Sequence, residues 1–228
     1  MSLRESMFHK LILKKGFTYY PEDEFLVRKV LSFASSENPR VLDVGCGSGH
    51  YSFLFEKCGA NVVGFDYSTQ FIKENKRKAD LAGSSVIFIT ADGNYPEKYF
   101  TDPAFDIIFM SGFSLFATEI SQPLMEKYLN LLNHNGVLVF IQNSDLRGNI
   151  RKTGIRNYSI AQLTDEFSQL NCNIKKVFFY DRHIIGRILH TYAFSDISTA
   201  CHRLITRLSG LPCNIVMIIS RREDEGTF

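Results

Sequence analysis

Val41-Leu42-Asp43-Val44-Gly45-Cys46-Gly47-Ser48-Gly49 decides how this chain is read. An apolar run enters a glycine-rich turn, the pattern of a buried strand that feeds the start of a helix. The spacing is D-x-G-x-G-x-G, and an acid, Asp66, ends the next apolar run 21 positions after Gly45. Such a turn builds a nucleoside crevice at the carboxyl edge of a sheet. A dinucleotide fold requires G-x-G-x-x-G so that a pyrophosphate can sit on the helix N-terminus. Here the third glycine, Gly49, comes one position early, and His50 stands where a small residue is needed. Asp43 adds a carboxylate that repels a pyrophosphate. The loop therefore suits a nucleoside with an amino-acid end better than NAD.

The alternation of the remaining segments fits this start. Strands are expected at Arg40–Val44, Asn61–Phe65, Val86–Thr90, Phe105–Met110, Val137–Gln142, Ile174–Tyr180 and Asn214–Ser220. The intervening helices are expected at Gly49–Lys57, Thr69–Leu81, Ser121–Leu132 and from the capping box Ser159-Ile160-Ala161-Gln162 to about Leu170. Nearly continuous apolar strands imply a sheet covered on both faces. The pattern predicts an α/β fold with a doubly wound, mostly parallel sheet. Residues 1–39, with helical spacing over Glu22–Ser35, form a helical lead-in, and residues 181–212 form a small cap before the last strand. The chain of 228 residues is read as a single domain.

Four stretches together resemble the class I S-adenosylmethionine-dependent methyltransferases: the glycine loop, Val62-Val63-Gly64-Phe65-Asp66, Phe88-Ile89-Thr90-Ala91-Asp92, and Phe105–Phe109 with the turn Leu132–Leu138. The resemblance runs from about Arg40 to Tyr180. It implies a Rossmann-like seven-stranded sheet whose last strand inserts antiparallel beside the sixth. It also implies S-adenosylmethionine as cofactor. By resemblance, the cofactor-binding residues are Asp43, Gly45, Cys46, Gly47, Gly49, Asp66, Tyr67, Asp92, Gly93, Ser111 and Gly112. Asp66 matches the ribose acid and Asp92 the adenine-side acid; each also reads as a helix cap or turn residue. Cys46 is expected to serve by small size.

The acceptor side is open on sequence grounds. Phe113 follows the fourth strand, in the stretch that lines the acceptor in this family. No N/D-P-P-Y/F motif follows that strand, which argues against amino methylation of adenine, cytosine or glutamine. Tyr19 and Tyr20 either close over the site or pack the first helix. Arg147, Arg151, Lys152 and Arg156 lie in a loop with no acid between Asp145 and Ser159. Arg151 and Arg156 are the candidates for holding an anionic acceptor, against a plain solvated loop. His183 and Asp145 are candidate bases, or else solvated loop residues.

The expected function is methyl transfer to an oxygen or nitrogen of a small or medium, anionic acceptor. The alternatives are a cofactor-binding regulatory protein without turnover and an RNA or protein methyltransferase. A balance of 26 basic against 24 acidic residues argues against nucleic acid as a partner. Five scattered cysteines with no C-x-x-C pair argue against a disulfide framework or a metal site and for a reducing, cytoplasmic setting. No apolar stretch is long enough to span a membrane.

Overall fold

The computed structural model describes residues 21–100, 103–116, 119–144, 156–180 and 214–222. Tyr19, Tyr20, Asp145, Arg151, His183 and the expected cap at 181–212 lie outside these residues. Seven strands are present: β1 (Arg40–Val44), β2 (Asn61–Asp66), β3 (Ile87–Thr90), β4 (Phe105–Ser111), β5 (Leu132–Asn143), β6 (Cys172–Tyr180) and β7 (Asn214–Arg221). The helices are α1 (Pro21–Leu31), α2 (His50–Lys57), α3 (Thr69–Ala82), α4 (Gln122–Leu129) and α5 (Ile160–Ser168).

The strand order is β3-β2-β1-β4-β5-β7-β6. All neighbours are parallel except β7, which runs antiparallel between β5 and β6. The connection reverses direction between β1 and β4, which opens a crevice at their carboxyl ends. Because β7 is antiparallel to both partners, β6 again ends on this same edge.

Side chains alternate across the sheet. Val41, Ile107, Phe109, Val139 and Ile218 pack with Leu26, Val27, Leu54, Phe55 and Ile72 of α1, α2 and α3. Leu42, Ile108, Met110, Phe140 and Met217 pack with Met125, Tyr128, Leu163 and Phe167 of α4 and α5. Burial of each such side chain contributes about 1.5–3 kcal/mol.

Several boundaries depart from expectation; the lead-in helix, for one, ends at Leu31 and not at Ser35. Helix α4 stops at Leu129 and β5 starts at Leu132. Leu132, in the stretch read as a turn into the strand, already pairs with Phe105 of β4, and regular pairing resumes at Ile107↔Val137 after a register shift. Asn135 takes a left-handed φ of 62° at that irregularity, a conformation asparagine tolerates better than most residues. Strand β6 begins two residues early because antiparallel pairing with β7 continues to Cys172.

Helix α5 opens as its sequence predicts. The Ser159 hydroxyl accepts from the Gln162 N–H at 3.1 Å, and the Gln162 side chain accepts from the Ser159 N–H at 2.9 Å. Replacing Ser159 with alanine removes one arm of this box and is expected to destabilise the fold by about 1 kcal/mol. Ser159→Asp should preserve most of the stability. Urea denaturation of the two variants checks this, and equal midpoints for Ser159→Ala and wild type would rule the cap out as a stabilising contact.

Candidate functional site

The glycine loop between β1 and α2 is built from three left-handed residues: Gly45 at φ 67°, Gly47 at 50° and Gly49 at 79°. A side chain at any of them is strained. Gly45 has a second reason to lack one, since a Cβ there would sit 2.9 Å from the Phe113 ring.

Neighbouring elements hold the loop through its main chain. Asp66, at the end of β2, accepts from the Gly47 N–H through Oδ2 at 3.0 Å and from the Ser68 N–H through Oδ1 at 2.9 Å. A carboxylate offers about four acceptor sites over its two oxygens, so it can serve main-chain donors and a ligand hydroxyl together. Asn75 of α3 donates to the Gly47 carbonyl at 2.8 Å, and Lys78 donates to the Ser48 carbonyl at 3.2 Å. The Cys46 N–H reaches the Phe65 carbonyl at 2.9 Å. Gly49 is the N-cap of α2 and supplies no side-chain cap. The first-turn N–H groups of a helix lack intrahelical acceptors, so this end suits a carboxylate.

Asp43 lies directly beneath the loop, 3% exposed, and accepts from the Ser52 hydroxyl at 2.5 Å. Ser52 reaches it because Gly64 of β2 leaves room: a Cβ at Gly64 would stand 2.7 Å from Ser52 Oγ. Burial pushes the Asp43 carboxyl up to about 6, opposed by the Ser52 hydrogen bond and the His50 charge. The Cys46 thiol is buried and pushed well above its ordinary range by desolvation, then by Asp43 and Asp66. It fits the loop as a small packed residue with little thiolate character.

The adenine-side candidates lie around the end of β3. Asp92 is exposed, and its Oδ1 accepts from both the backbone N–H and the side-chain amide of Asn94, each at 2.9 Å. It is thus a turn residue, as one reading of the sequence held, and Oδ2 has no hydrogen bond among the described residues. Tyr67 is 46% exposed beside Asp66. Tyr99 places its hydroxyl 3.3 Å from the Asp92 N–H. Gly93 is covered from below: a Cβ there would meet Phe113 at 2.5 Å, and its carbonyl accepts from the Tyr128 hydroxyl at 2.8 Å.

Ser111 and Gly112 close β4 at the crevice, with Gly112 at φ 64° and its N–H on the Ile141 carbonyl at 3.2 Å. Phe113 is only 7% exposed. Its ring touches the Gly45 and Gly93 positions and packs edge-on against Phe116 and Tyr128. It is a wedge beneath two loops of the crevice. Arg156 lies at the carboxyl edge of β5, with its guanidinium 4.6 Å from the Tyr158 ring centroid. Its counter-acid comes from α5, where Glu166 stands 3.9 Å away. The local sequence showed no such acid because the partner is ten residues on and brought back by the helix.

Ser52, Asn75, Tyr128 and Tyr158 were not anticipated. Each carries a polar atom into a buried place, and no local motif marks it. Among the described residues no cluster of three or more metal-ligating side chains exists, and no helix is long and apolar enough to cross a membrane.

The Asp43 environment gives a testable pH dependence. Its folded-state pKa of about 6 lies above the unfolded value of 3.8. The folded state therefore holds the proton more tightly, and the stability this contributes is full below 3.8 and lost as pH rises through 6. The whole difference corresponds to roughly 3 kcal/mol. Urea unfolding of cofactor-free wild type and Asp43→Asn between pH 4 and 7 should show the variant gaining on wild type as pH rises. A pH-independent difference between them would contradict the buried carboxyl.

Residues 35–192 match a protein family described as "Methyltransferase domain". The demethylmenaquinone methyltransferase of Thermus thermophilus is 32% identical over 119 residues, and the match spans about half of each chain, 50% of this one and 52% of the relative. Among solved structures, an S-adenosylmethionine-dependent methyltransferase from Geobacter sulfurreducens, in complex with S-adenosyl-L-homocysteine, superposes with a TM-score of 0.60. It is 17% identical and the likeness covers 89% of this chain and 91% of that one. The cyclase SpnF superposes at 0.58 with 20% identity over 88% of this chain and 81% of its own. At these identities the structural likeness is one of fold. The family match covers most of the chain and includes the glycine loop, Asp66 and Asp92, so the chain belongs to the methyltransferase-domain family.

Proposed function

We propose that the crevice between β1 and β4 transfers the methyl group of S-adenosylmethionine to an oxygen or nitrogen of a small or medium, anionic acceptor. The observation that carries the cofactor half of this reading is the Asp66 carboxylate. It is tied to the Gly47 N–H at 3.0 Å and placed where β2 ends beside the loop. In this arrangement Asp66 accepts from both ribose hydroxyls. Gly45, Cys46, Gly47 and Gly49 allow close main-chain approach, and the open start of α2 receives the amino-acid carboxylate. Asp43 lies where its charge favours the amino end. Asp92, Gly93 and Tyr67 flank the adenine, and Ser111 and Gly112 face the methionine end.

When bound, the cofactor supplies a methyl group on a positively charged sulfonium, an activated donor. The protein's task is then alignment of the nucleophile and exclusion of water. Burial of the Phe113 ring beneath Gly45 and Gly93 fixes the floor of the crevice, so the loops approach a bound ligand in one geometry. Asp145 and His183 stand in the sequence after β5 and β6, which end on this edge, and either serves as base where the acceptor carries a proton of high pKa.

The acceptor reading rests on Arg156, which is 41% exposed at that edge and held only loosely by Glu166. Together with Arg151, Tyr19 and Tyr20, it supplies the contacts proposed for an anionic molecule. The relative from Thermus thermophilus is named for demethylmenaquinone, which is neither an RNA nor a protein; this supports the size class of the acceptor and says nothing of its charge or of the atom methylated.

Calorimetric titration with S-adenosylmethionine, S-adenosyl-L-homocysteine and NAD should show binding of the first two alone. Hydrogen bonds to a charged group are worth about 1.5–3 kcal/mol each, so Asp66→Ala should weaken both by tenfold or more. An unchanged Kd would place the ribose elsewhere. On the acceptor side, candidate anionic small molecules are assayed by S-adenosyl-L-homocysteine release. Replacing Arg151 and Arg156 with glutamine should raise the KM of the accepted molecule and leave cofactor affinity unaltered. Parent-like kinetics in the double variant would remove the anionic acceptor from the proposal.

A further inference from the structure

We propose that Asp23 of α1 is a positioning residue for cofactor binding, acting through His50 at the first turn of α2. The inference rests on reading the glycine loop as the cofactor-binding element and extends it to a helix outside that loop.

Asp23 is 0% exposed. Its Oδ2 lies 2.6 Å from His50 Nε2, and its Oδ1 accepts from the Tyr51 hydroxyl at 3.2 Å. The Tyr180 hydroxyl, at the carboxyl end of β6, also donates to Oδ1. One carboxylate thus joins α1, the first two residues of α2 and the last residue of β6. These elements lie 27, 28 and 157 residues from Asp23 in the chain.

The contact is placed where it bears on the cofactor loop. His50 directly follows Gly49, whose left-handed backbone lets the chain turn into α2. Gly49 offers no side chain to fix that turn, and α2 is only eight residues long. Other anchors hold the middle of the loop: Asp66 on the Gly47 N–H, Asn75 on the Gly47 carbonyl and Lys78 on the Ser48 carbonyl. The Asp23–His50 contact holds its far end. A second link from α1, Glu24 to Lys57 at 2.8 Å, keeps the two helices together further along α2.

Packing α1 does not by itself call for a buried acid. Leu26, Val27 and Val30 already seat the helix on the sheet. A carboxylate taken out of water is costly, and an apolar residue at such a site is often neutral or stabilising. The acid at this position orients a histidine side chain and a tyrosine hydroxyl at the exit of the loop, and ties them to the Tyr180 hydroxyl at the end of β6.

The test measures the Kd of S-adenosylmethionine and S-adenosyl-L-homocysteine by calorimetry on the full chain. Wild type, His50→Gln, Asp23→Asn and the double variant are compared, each well below its own Tm, with Asp66→Ala as a control on the loop. His50→Gln and Asp23→Asn should each raise both Kd values about tenfold, and the double variant should be little worse than either, as expected for partners in one contact. Wild-type Kd values in both single variants, whatever their Tm, would assign the network a purely structural role and overturn the proposal. So would fully multiplicative losses in the double variant. If Asp23→Asn does not fold, His50→Gln decides alone, because it leaves the buried Asp23 carboxylate with its two tyrosine donors in place. If wild type binds neither ligand, or Asp66→Ala binds like wild type, the loop assignment itself has failed. A failure confined to the His50 and Asp23 variants leaves that assignment standing.

Discussion

The hydrogen bond from the Gly47 N–H to the Asp66 carboxylate, 3.0 Å long, is the constraint on which the crevice depends. It ties the turn leaving β1 to the end of β2, so two neighbouring parallel strands deliver their loops to one place. The same carboxylate accepts from the Ser68 N–H and thereby shapes the start of α3. Helix α3 in turn returns Asn75 and Lys78 to the loop's carbonyls. A flexible glycine-rich segment becomes a fixed surface because its donors and acceptors are committed to the scaffold on both sides. Such preorganisation lets a ligand bind without first ordering the loop.

A second constraint works from below. Phe113 follows β4, across the switch in strand order, and its ring occupies the space that side chains at Gly45 and Gly93 would need. Tyr128 completes the floor by donating to the Gly93 carbonyl. Glycines in this site therefore answer two demands. Gly45 and Gly47 take a left-handed backbone, while Gly45 and Gly93 make room for an aromatic ring. Gly64 has the second task alone, clearing the path by which Ser52 reaches Asp43.

The acceptor edge follows a different logic. The cofactor crevice is assembled from backbone groups and short acids, and this fold also carries proteins with other chemistry, such as the cyclase SpnF. What distinguishes one member from another lies in side chains beyond the strand ends. Here those include the Arg156 guanidinium on the Tyr158 ring and its carboxylate partner from α5. The fold is thus common property, while the chemistry is local.

The sequence was legible wherever function depends on the main chain. Glycine spacing, an acid at a strand end and the βα alternation are periodic or local signals, and they determined the doubly wound sheet and the loop. The capping box at Ser159 was equally plain, because both partners lie within one helical turn. Strand ends were less so: β5 begins at Leu132 through pairing with β4, and β6 at Cys172 through pairing with β7. The contacts that hold the site were not legible at all. Asp23 meets His50 and Tyr180, and Asn75 meets Gly47, across separations that carry no pattern. Phe113 was expected to face the acceptor, yet its ring packs beneath the loops, because the direction of a side chain after a strand depends on what the neighbouring strands leave vacant. By itself the sequence determined the architecture and the glycine loop, since backbone geometry and hydrophobic periodicity are written locally. Only the tertiary structure decided which buried polar groups fix the loop, because each needs a partner that desolvation makes obligatory and that only the folded sheet brings within reach.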